Sequence, residues 1–169
     1  MFRPVQLPPD VPGQLWLHSM PGRYEPLAET LAELRQRRIA RLVCLAAPAE
    51  LDRKAPEYAA ALREGTLPCA HSLCAIPDYG IPADSAAFIS LAKEIAGRLR
   101  QGEAVLVHCG AGIGRTGMFA ACALLALGVP LAAARRAVAS AGAGAETPEQ
   151  HAIVDAFAHA APPLTPPRQ

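Results

Sequence analysis

"VHCGAGIGRTG", residues 107–117, sets Cys109 and Arg115 six positions apart on a backbone with glycines at 110, 112, 114 and 117. The residues leading into it, 104–107, form an unbroken apolar run of the kind a fully buried strand needs, and those after Gly114 read as a helix. A strand that ends in a glycine-rich loop and continues as a helix marks the place where open α/β sheets hold their ligands. On such a loop the N–H groups of Gly110, Ala111, Gly112, Ile113 and Gly114 can turn to one side as a nest, reinforced by the unpaired N–H groups of the helix start. That geometry suits a tetrahedral oxyanion, and Arg115 adds a planar fork able to hold two of its oxygens. The same positive field surrounds Cys109; cysteines so placed ionise with pKa values of ~3.5–7.5, so this thiol is expected to be anionic at neutral pH. A thiolate beneath a phosphate is a nucleophile aimed at phosphorus. A nucleotide-binding turn is the competing reading, but the chain lacks both a G-x-x-x-x-G-K-[ST] run and an acidic residue at the dinucleotide-fold distance.

Outward from this loop, short apolar runs at 14–17, 41–45 and 70–75 join 104–108 as candidate strands. Between them, residues 26–38 place Leu27, Leu31 and Leu34 on one helical face, and residues 84–100 do the same with Phe88, Leu91, Ile95 and Leu99. Helices are expected after the loop at 115–127, 130–140 and 148–160. Strands alternating with amphipathic helices predict an α/β fold, one domain over residues 1–160 with a mostly parallel sheet of four to five strands flanked by helices. Residues 161–169, APPLTPPRQ, read as a disordered tail.

The 169 residues carry 16 basic and 15 acidic side chains, a net charge of +1, so no bulk field favours nucleic acid or an anionic membrane. Affinity for anions must be local. The uncharged run 117–134 has the length of a membrane helix, but Gly128 and Pro130 divide it, and it reads as a buried helical pair. The first ten residues hold three prolines and no apolar core of a signal peptide. Five cysteines without framework spacing then point to free thiols and a cytoplasmic location. Oligomeric state leaves no mark in the sequence.

His108, Cys109, Gly112, Gly114, Arg115 and Thr116 match H-C-x-x-G-x-x-R-[ST], and through this motif the chain resembles the cysteine-dependent protein tyrosine and dual-specificity phosphatases. "SMPGRY" near the start and "LVCLAAPAEL" after the first helix resemble the cyclin-dependent kinase-associated phosphatase group. The resemblance implies a protein tyrosine phosphatase-like fold, a phosphorylated protein or peptide as substrate, hydrolysis through a cysteinyl-phosphate, and no metal or cofactor. Inositol phosphates or other small phosphomonoesters are the alternative substrates. The loop residues Ala111 and Ile113 carry no charge, unlike the basic loop of phosphoinositide phosphatases. A sulfurtransferase or arsenate reductase, and a non-catalytic phosphate-binding or redox-sensing module, are rival readings.

The resemblance also implies a general acid on a nearby loop. "AIPDYGIP" offers Asp78, 31 positions before Cys109, though Pro-Asp-Tyr-Gly suits a plain β-turn equally well. "AETPEQ" offers Gln150 to position the hydrolytic water. The same side chain can instead close a capping box with Thr147, ahead of Pro148 at the first helical position. Thr116 is expected to donate a hydrogen bond to the cysteine sulfur, and His108 to support the loop. By the same resemblance Cys44 is a redox partner for Cys109; its other reading is a buried apolar thiol. Arg23 and Tyr24 are read either as rim residues of the pocket or as an exposed loop pair.

Overall fold

The computed structural model describes residues 1–160 and runs β1 (Arg3–Val5), β2 (Gln14–His18), α1 (Leu27–Gln36), β3 (Ile39–Cys44), α2 (Pro48–Lys54), α3 (Pro56–Glu64), β4 (Ala70–Leu73), α4 (Ser85–Arg100), β5 (Ala104–His108), α5 (Gly114–Ala126), α6 (Leu131–Ser140) and α7 (Pro148–Ala160). The tail at 161–169 lies outside the described residues. The strands form one sheet in the order β1-β2-β5-β3-β4, in which only the β1–β2 pair is antiparallel. Because β5 lies between β2 and β3, the direction of winding reverses beside it, and a crevice opens at the carboxyl ends of these three strands. His18 of β2 and Cys44 of β3 both pair with His108, so one row of residues crosses the sheet just beneath that crevice.

Both faces of the sheet are covered, which is why β5 is apolar without alternation. Val105 and Val107 point to the face covered by α4–α7, whose core includes Phe88, Phe119 and Val154. Leu106 points to the other face, where Leu34, Leu51 and Tyr58 of α1–α3 gather around it. Helix α5 is buried from Gly114 through Leu125, and the lack of charge beyond Arg115 follows from that central position. No helix among the described residues is long and apolar enough to cross a membrane.

The expected buried helical pair over 117–134 needs correction at its second member. Helix α6 buries only Ala134 and Val138 on its own account and is an amphipathic surface helix. Three elements have no counterpart in the sequence reading. Strand β1 is three residues long and contains Pro4, which an edge position tolerates because its outer side needs no donor. Helices α2 and α3 are short, and each begins on a proline whose missing N–H costs nothing in a first turn.

Candidate active site

The crevice is floored by the turn between β5 and α5. Its shape is held from outside by donors on the loop carbonyls. His108 Nδ1 lies 3.0 Å from the Cys109 carbonyl. The Met20 N–H donates to the Gly110 carbonyl at 3.1 Å, and the N–H groups of Gly117 and Gly144 donate to that of Ile113 at 2.7 and 3.3 Å. The Arg3 guanidinium donates to the Gly112 carbonyl. In a trans peptide the C=O and the following N–H point in opposite directions. Each outer bond therefore turns an amide away from its donor, fixing the N–H groups of Gly110, Ala111, Ile113 and Gly114. The Gly112 N–H donates to the Cys109 sulfur at 3.3 Å. Glycine is required at 112, where φ is +76° and a Cβ would strike the His18 carbonyl. At 117 a Cβ would run into the Gly144 backbone, so the helix start and the 142–146 turn approach as closely as they do only with glycine there.

His108 is fully buried, and burial first, then the neighbouring positive charges of His18 and Arg115, pushes its pKa down to about 4. A neutral ring facing a carbonyl at Nδ1 must donate there, so Nε2 is the acceptor and takes the Tyr58 hydroxyl at 2.7 Å. Tyr58 thus ties the loop to α3. His108 thus bridges the Cys109 carbonyl and the Tyr58 hydroxyl beneath the loop.

Arg115 is 2% exposed and is gripped by both oxygens of Glu50, from Nη1 to Oε2 at 2.7 Å and from Nη2 to Oε1 at 3.1 Å. Nη1 also donates to the Ile76 carbonyl at 2.9 Å, and Nη2 to Asp78 Oδ1 at 2.7 Å. Lys54 bridges the two acids, with Nζ 2.7 Å from Glu50 and 3.5 Å from Asp78. Burial would raise the Glu50 pKa, but Arg115 and Lys54 together hold it down to about 2. For Arg115 burial works to lower the pKa, and Glu50 with the charges of Cys109 and Asp78 raises it on balance. The result is a cation locked in place beside the thiol.

Asp78 lies on a turn closed by the Gly80 N–H on the Pro77 carbonyl at 2.8 Å. The turn is therefore formed, and its aspartate reaches Arg115. Tyr79 follows at φ 57°, a left-handed conformation unusual for a bulky side chain. In contrast with the buried cradle, the Asp78 side chain is 53% exposed.

Gln150 is fully buried and meets the aspartate loop from behind. Its Nε2 donates to the Gly80 carbonyl at 3.0 Å, its Oε1 accepts from the Glu146 N–H at 2.9 Å, and its own N–H donates to Thr147 Oγ1 at 3.2 Å. The Thr147 half of the capping box is formed; the return bond falls on Glu146 instead of Thr147. The expectation for Thr116 needs correction: its hydroxyl is buried without a hydrogen-bond partner, and the donor to the sulfur is the Gly112 N–H. The loop curls back so that a main-chain amide takes the place at sulfur assigned to the hydroxyl.

Cys44 and Cys109 are both free thiols. Cys44 is in register with His108, yet it packs among the α1–α3 core residues while Cys109 packs with the α4–α7 core. Burial first, with the charges of Cys109 and Glu50 adding to it, pushes the Cys44 pKa up to about 12.

Glu50 and Arg3 are the residues that sequence reasoning missed. Glu50 and Lys54 have the i,i+4 spacing of an ordinary surface pair, and only the packing of α2 under the loop shows that Glu50 is buried. Around the mouth, Arg23 approaches Gly110 and stacks on Tyr24, its guanidinium 4.5 Å from the ring centre. Tyr24, Tyr79, Ile81 and Ile113 are four of the six large apolar side chains left exposed among the described residues, and all four belong to segments bordering the cradle.

A family model described as "Tc-R-P: Polymorphic toxin system, DSP-PTPase phosphatase" matches residues 18–129. Among solved structures, the chain is similar to kinase associated phosphatase (KAP) bearing a serine in place of its catalytic site cysteine. The identity is 21% and the TM-score 0.79, over 95% of this chain and 96% of that one. It is similar to Tk-PTP in the active form, at 24% identity and TM-score 0.69 over 89% and 95%. It is also similar to PTPMT1 in complex with PI(5)P, at 16% identity and TM-score 0.67 over 86% and 90%. Likeness at these identities speaks for the fold.

Proposed function

Because this chain belongs to the polymorphic toxin system DSP-PTPase phosphatases, and is thereby a protein phosphatase and phosphoric monoester hydrolase, we propose that it acts on phosphotyrosine in proteins through a cysteinyl-phosphate on Cys109. The observation that carries this reading is the Gly112 N–H on the Cys109 sulfur, beside a loop whose carbonyls are tied outward and an Arg115 fork immobilised by Glu50. The phosphoryl group rests on the amides of 110–114. Arg115 exchanges its Nη2 bond to Asp78 for a phosphoryl oxygen, and Nε–H takes a second. The Cys109 thiolate forms the S–P bond as the P–O bond to the tyrosyl oxygen breaks, and Asp78, released from Arg115, delivers its proton to that oxygen. In the second step Asp78 takes a proton from water, the water oxygen bonds to phosphorus, and the S–P electron pair returns to Cys109. Positioning and charge stabilisation supply most of the rate.

Gln150 fixes the carbonyl of Gly80 two residues beyond Asp78, and so serves the acid through its loop. The high pKa of Cys44 supports its reading as a buried apolar thiol, since exchange with a disulfide needs a thiolate. Five free cysteines support action in a reducing, cytoplasmic setting.

Tyrosine is favoured over serine and threonine by the mouth. Tyr24, Tyr79 and Ile113, exposed on segments bordering the cradle, are available to pack on an aryl ring, a gain that an aliphatic ester offers little of. An inositol phosphate, suggested by the ligand of PTPMT1, is less favoured because Ala111 and Ile113 bring no cation to extra phosphates. Turnover of a matched set of phosphotyrosine, phosphothreonine and phosphoserine peptides beside inositol phosphates tests this. The expected result is a phosphotyrosine peptide hydrolysed at least ~10-fold more efficiently than its partners, as burial of one ring predicts. Preference for an inositol phosphate would overturn the substrate assignment.

A further inference from the structure

We propose that Arg3, on the edge strand β1, is a positioning residue of the phosphate cradle that holds the Gly112–Ile113 peptide with its N–H toward the anion. This rests on the cradle being the phosphate site. Among the four outer-bonded carbonyls of the loop, those of Gly110 and Ile113 are held by main-chain N–H groups and that of Cys109 by the preceding histidine. The Gly112 carbonyl is the one held by a side chain from a remote part of the sequence, 109 positions away. Gly112 is also the residue whose backbone turns most freely, with φ at +76° and no Cβ. The weakest joint of the cradle therefore carries the longest tie.

A planar trans peptide makes the consequence direct. With its oxygen drawn outward to Arg3, the 112–113 unit directs the Ile113 N–H the opposite way, as an anion donor. Without that tie, rotation of the unit would turn a carbonyl oxygen toward the anion and exchange an attraction for a repulsion. Arg3 also donates to the Gly142 carbonyl at 2.7 Å. Gly142 begins the turn whose Gly144 N–H donates to the Ile113 carbonyl and whose Glu146 N–H donates to Gln150. One guanidinium thus clamps both sides of the same peptide pair. Its two bonds use the fork of arginine, which a single ammonium cannot reproduce. Arg3 is half-buried; burial lowers its pKa, and the charge of Cys109 acts in the opposite sense, in keeping with a cation that faces the thiol across the loop.

The test compares the full chain with Arg3→Met and Arg3→Lys, reading kcat and KM on an aryl phosphate and the inhibition constant of inorganic phosphate. Arg3→Met is expected to weaken phosphate inhibition and to lower kcat/KM by ~10-fold or more, as misplaced cradle donors do, with the loss largely in KM. Arg3→Lys restores part of the phosphate affinity by holding one carbonyl. A purely structural arginine would alter the melting temperature and leave the phosphate inhibition constant of the folded enzyme where it was. Folded Arg3→Met enzyme with that constant within twofold of the wild type overturns the proposal. Should Arg3→Met fail to fold, Arg3→Lys decides: an intermediate loss of phosphate affinity supports the clamp, and wild-type affinity overturns it. A wild-type chain that neither binds phosphate nor turns over an aryl phosphate would instead overturn the phosphatase reading beneath it.

Discussion

Two segments meet at the mouth of this site and are held in opposite ways. The cradle, from Cys109 to Arg115, is supported by main-chain bonds and by buried side chains, with Arg115 2% exposed and His108 fully enclosed. The aspartate turn at 77–81 is closed by one short-range main-chain bond and tied from behind at Gly80 by Gln150, its acid is 53% exposed, and Tyr79 stands in a strained conformation. The contrast suits the chemistry. Charge developing on phosphorus is best met by dipoles that do not have to reorganise. A proton donor must leave Arg115, reach the departing oxygen and return as a base, so it belongs on a segment that moves at little cost.

The largest expected effect lies on the fixed side. Cys109→Ser should reduce turnover by ~10⁴-fold or more while inorganic phosphate still binds, because the amides that seat it do not depend on sulfur. Calorimetric titration with phosphate beside a steady-state assay checks this; substantial residual turnover would remove the nucleophile and with it the distinction between the two segments. Next comes the movable side. Asp78→Ala should lower kcat by ~10²–10⁴-fold on phenyl phosphate and much less on a nitrophenyl ester, whose leaving group needs no proton. Equal losses on both substrates would make Asp78 a mere partner of Arg115 and leave the turn without its role.

A third expectation separates the segments by pH. His108 has a folded pKa of about 4 against an ordinary value of 6.5, so the unfolded chain takes up its proton first as pH falls. Its contribution is complete above pH 6.5 and fades toward pH 4, by roughly 3 kcal/mol at 1.36 kcal/mol per unit. Glu50, held at about 2, adds a further loss between 4.5 and 2. Denaturant midpoints measured from pH 7 to 4 should fall, and the upper part of that fall should be absent in His108→Gln. A flat profile would mean that the cradle is not held by a neutral buried imidazole. The smallest effect belongs to Tyr79→Gly, which relieves the left-handed φ and should stabilise the fold by up to ~1 kcal/mol while weakening binding of an aryl phosphate. Lower stability in that variant would show that the turn is held by the tyrosine and not despite it.

The same contrast governs what was legible in the sequence. The β5 strand, the glycine loop and α5 could be read because local pattern and local chemistry agree there: a buried run, a nest and a helix start follow one another within a dozen residues. Asp78 is legible through the family resemblance, while its turn residues by themselves suit a plain β-turn. Strand β1 was invisible because three residues around Pro4 show no periodicity, and with it went Arg3, whose role depends on a carbonyl 109 positions away. Glu50 escaped for a related reason, since the spacing of its pair with Lys54 says nothing about the helix being packed beneath Arg115. Gln150 could be identified as a residue of interest, but its partners Gly80 and Glu146 come from two different segments. Thr116 illustrates the converse, where a motif assigned a bond to a side chain and the fold gave that bond to the Gly112 amide. Outer ties that cross between elements leave no local trace.

The most direct test is to quench the enzyme with acid during turnover of an aryl phosphate and map the phosphorylated residue by mass spectrometry, using Asp78→Ala to slow the second step. The account predicts phosphate on Cys109 and on no other side chain. Phosphate on a different residue, or release of product with no phosphoenzyme at any time point, would contradict it.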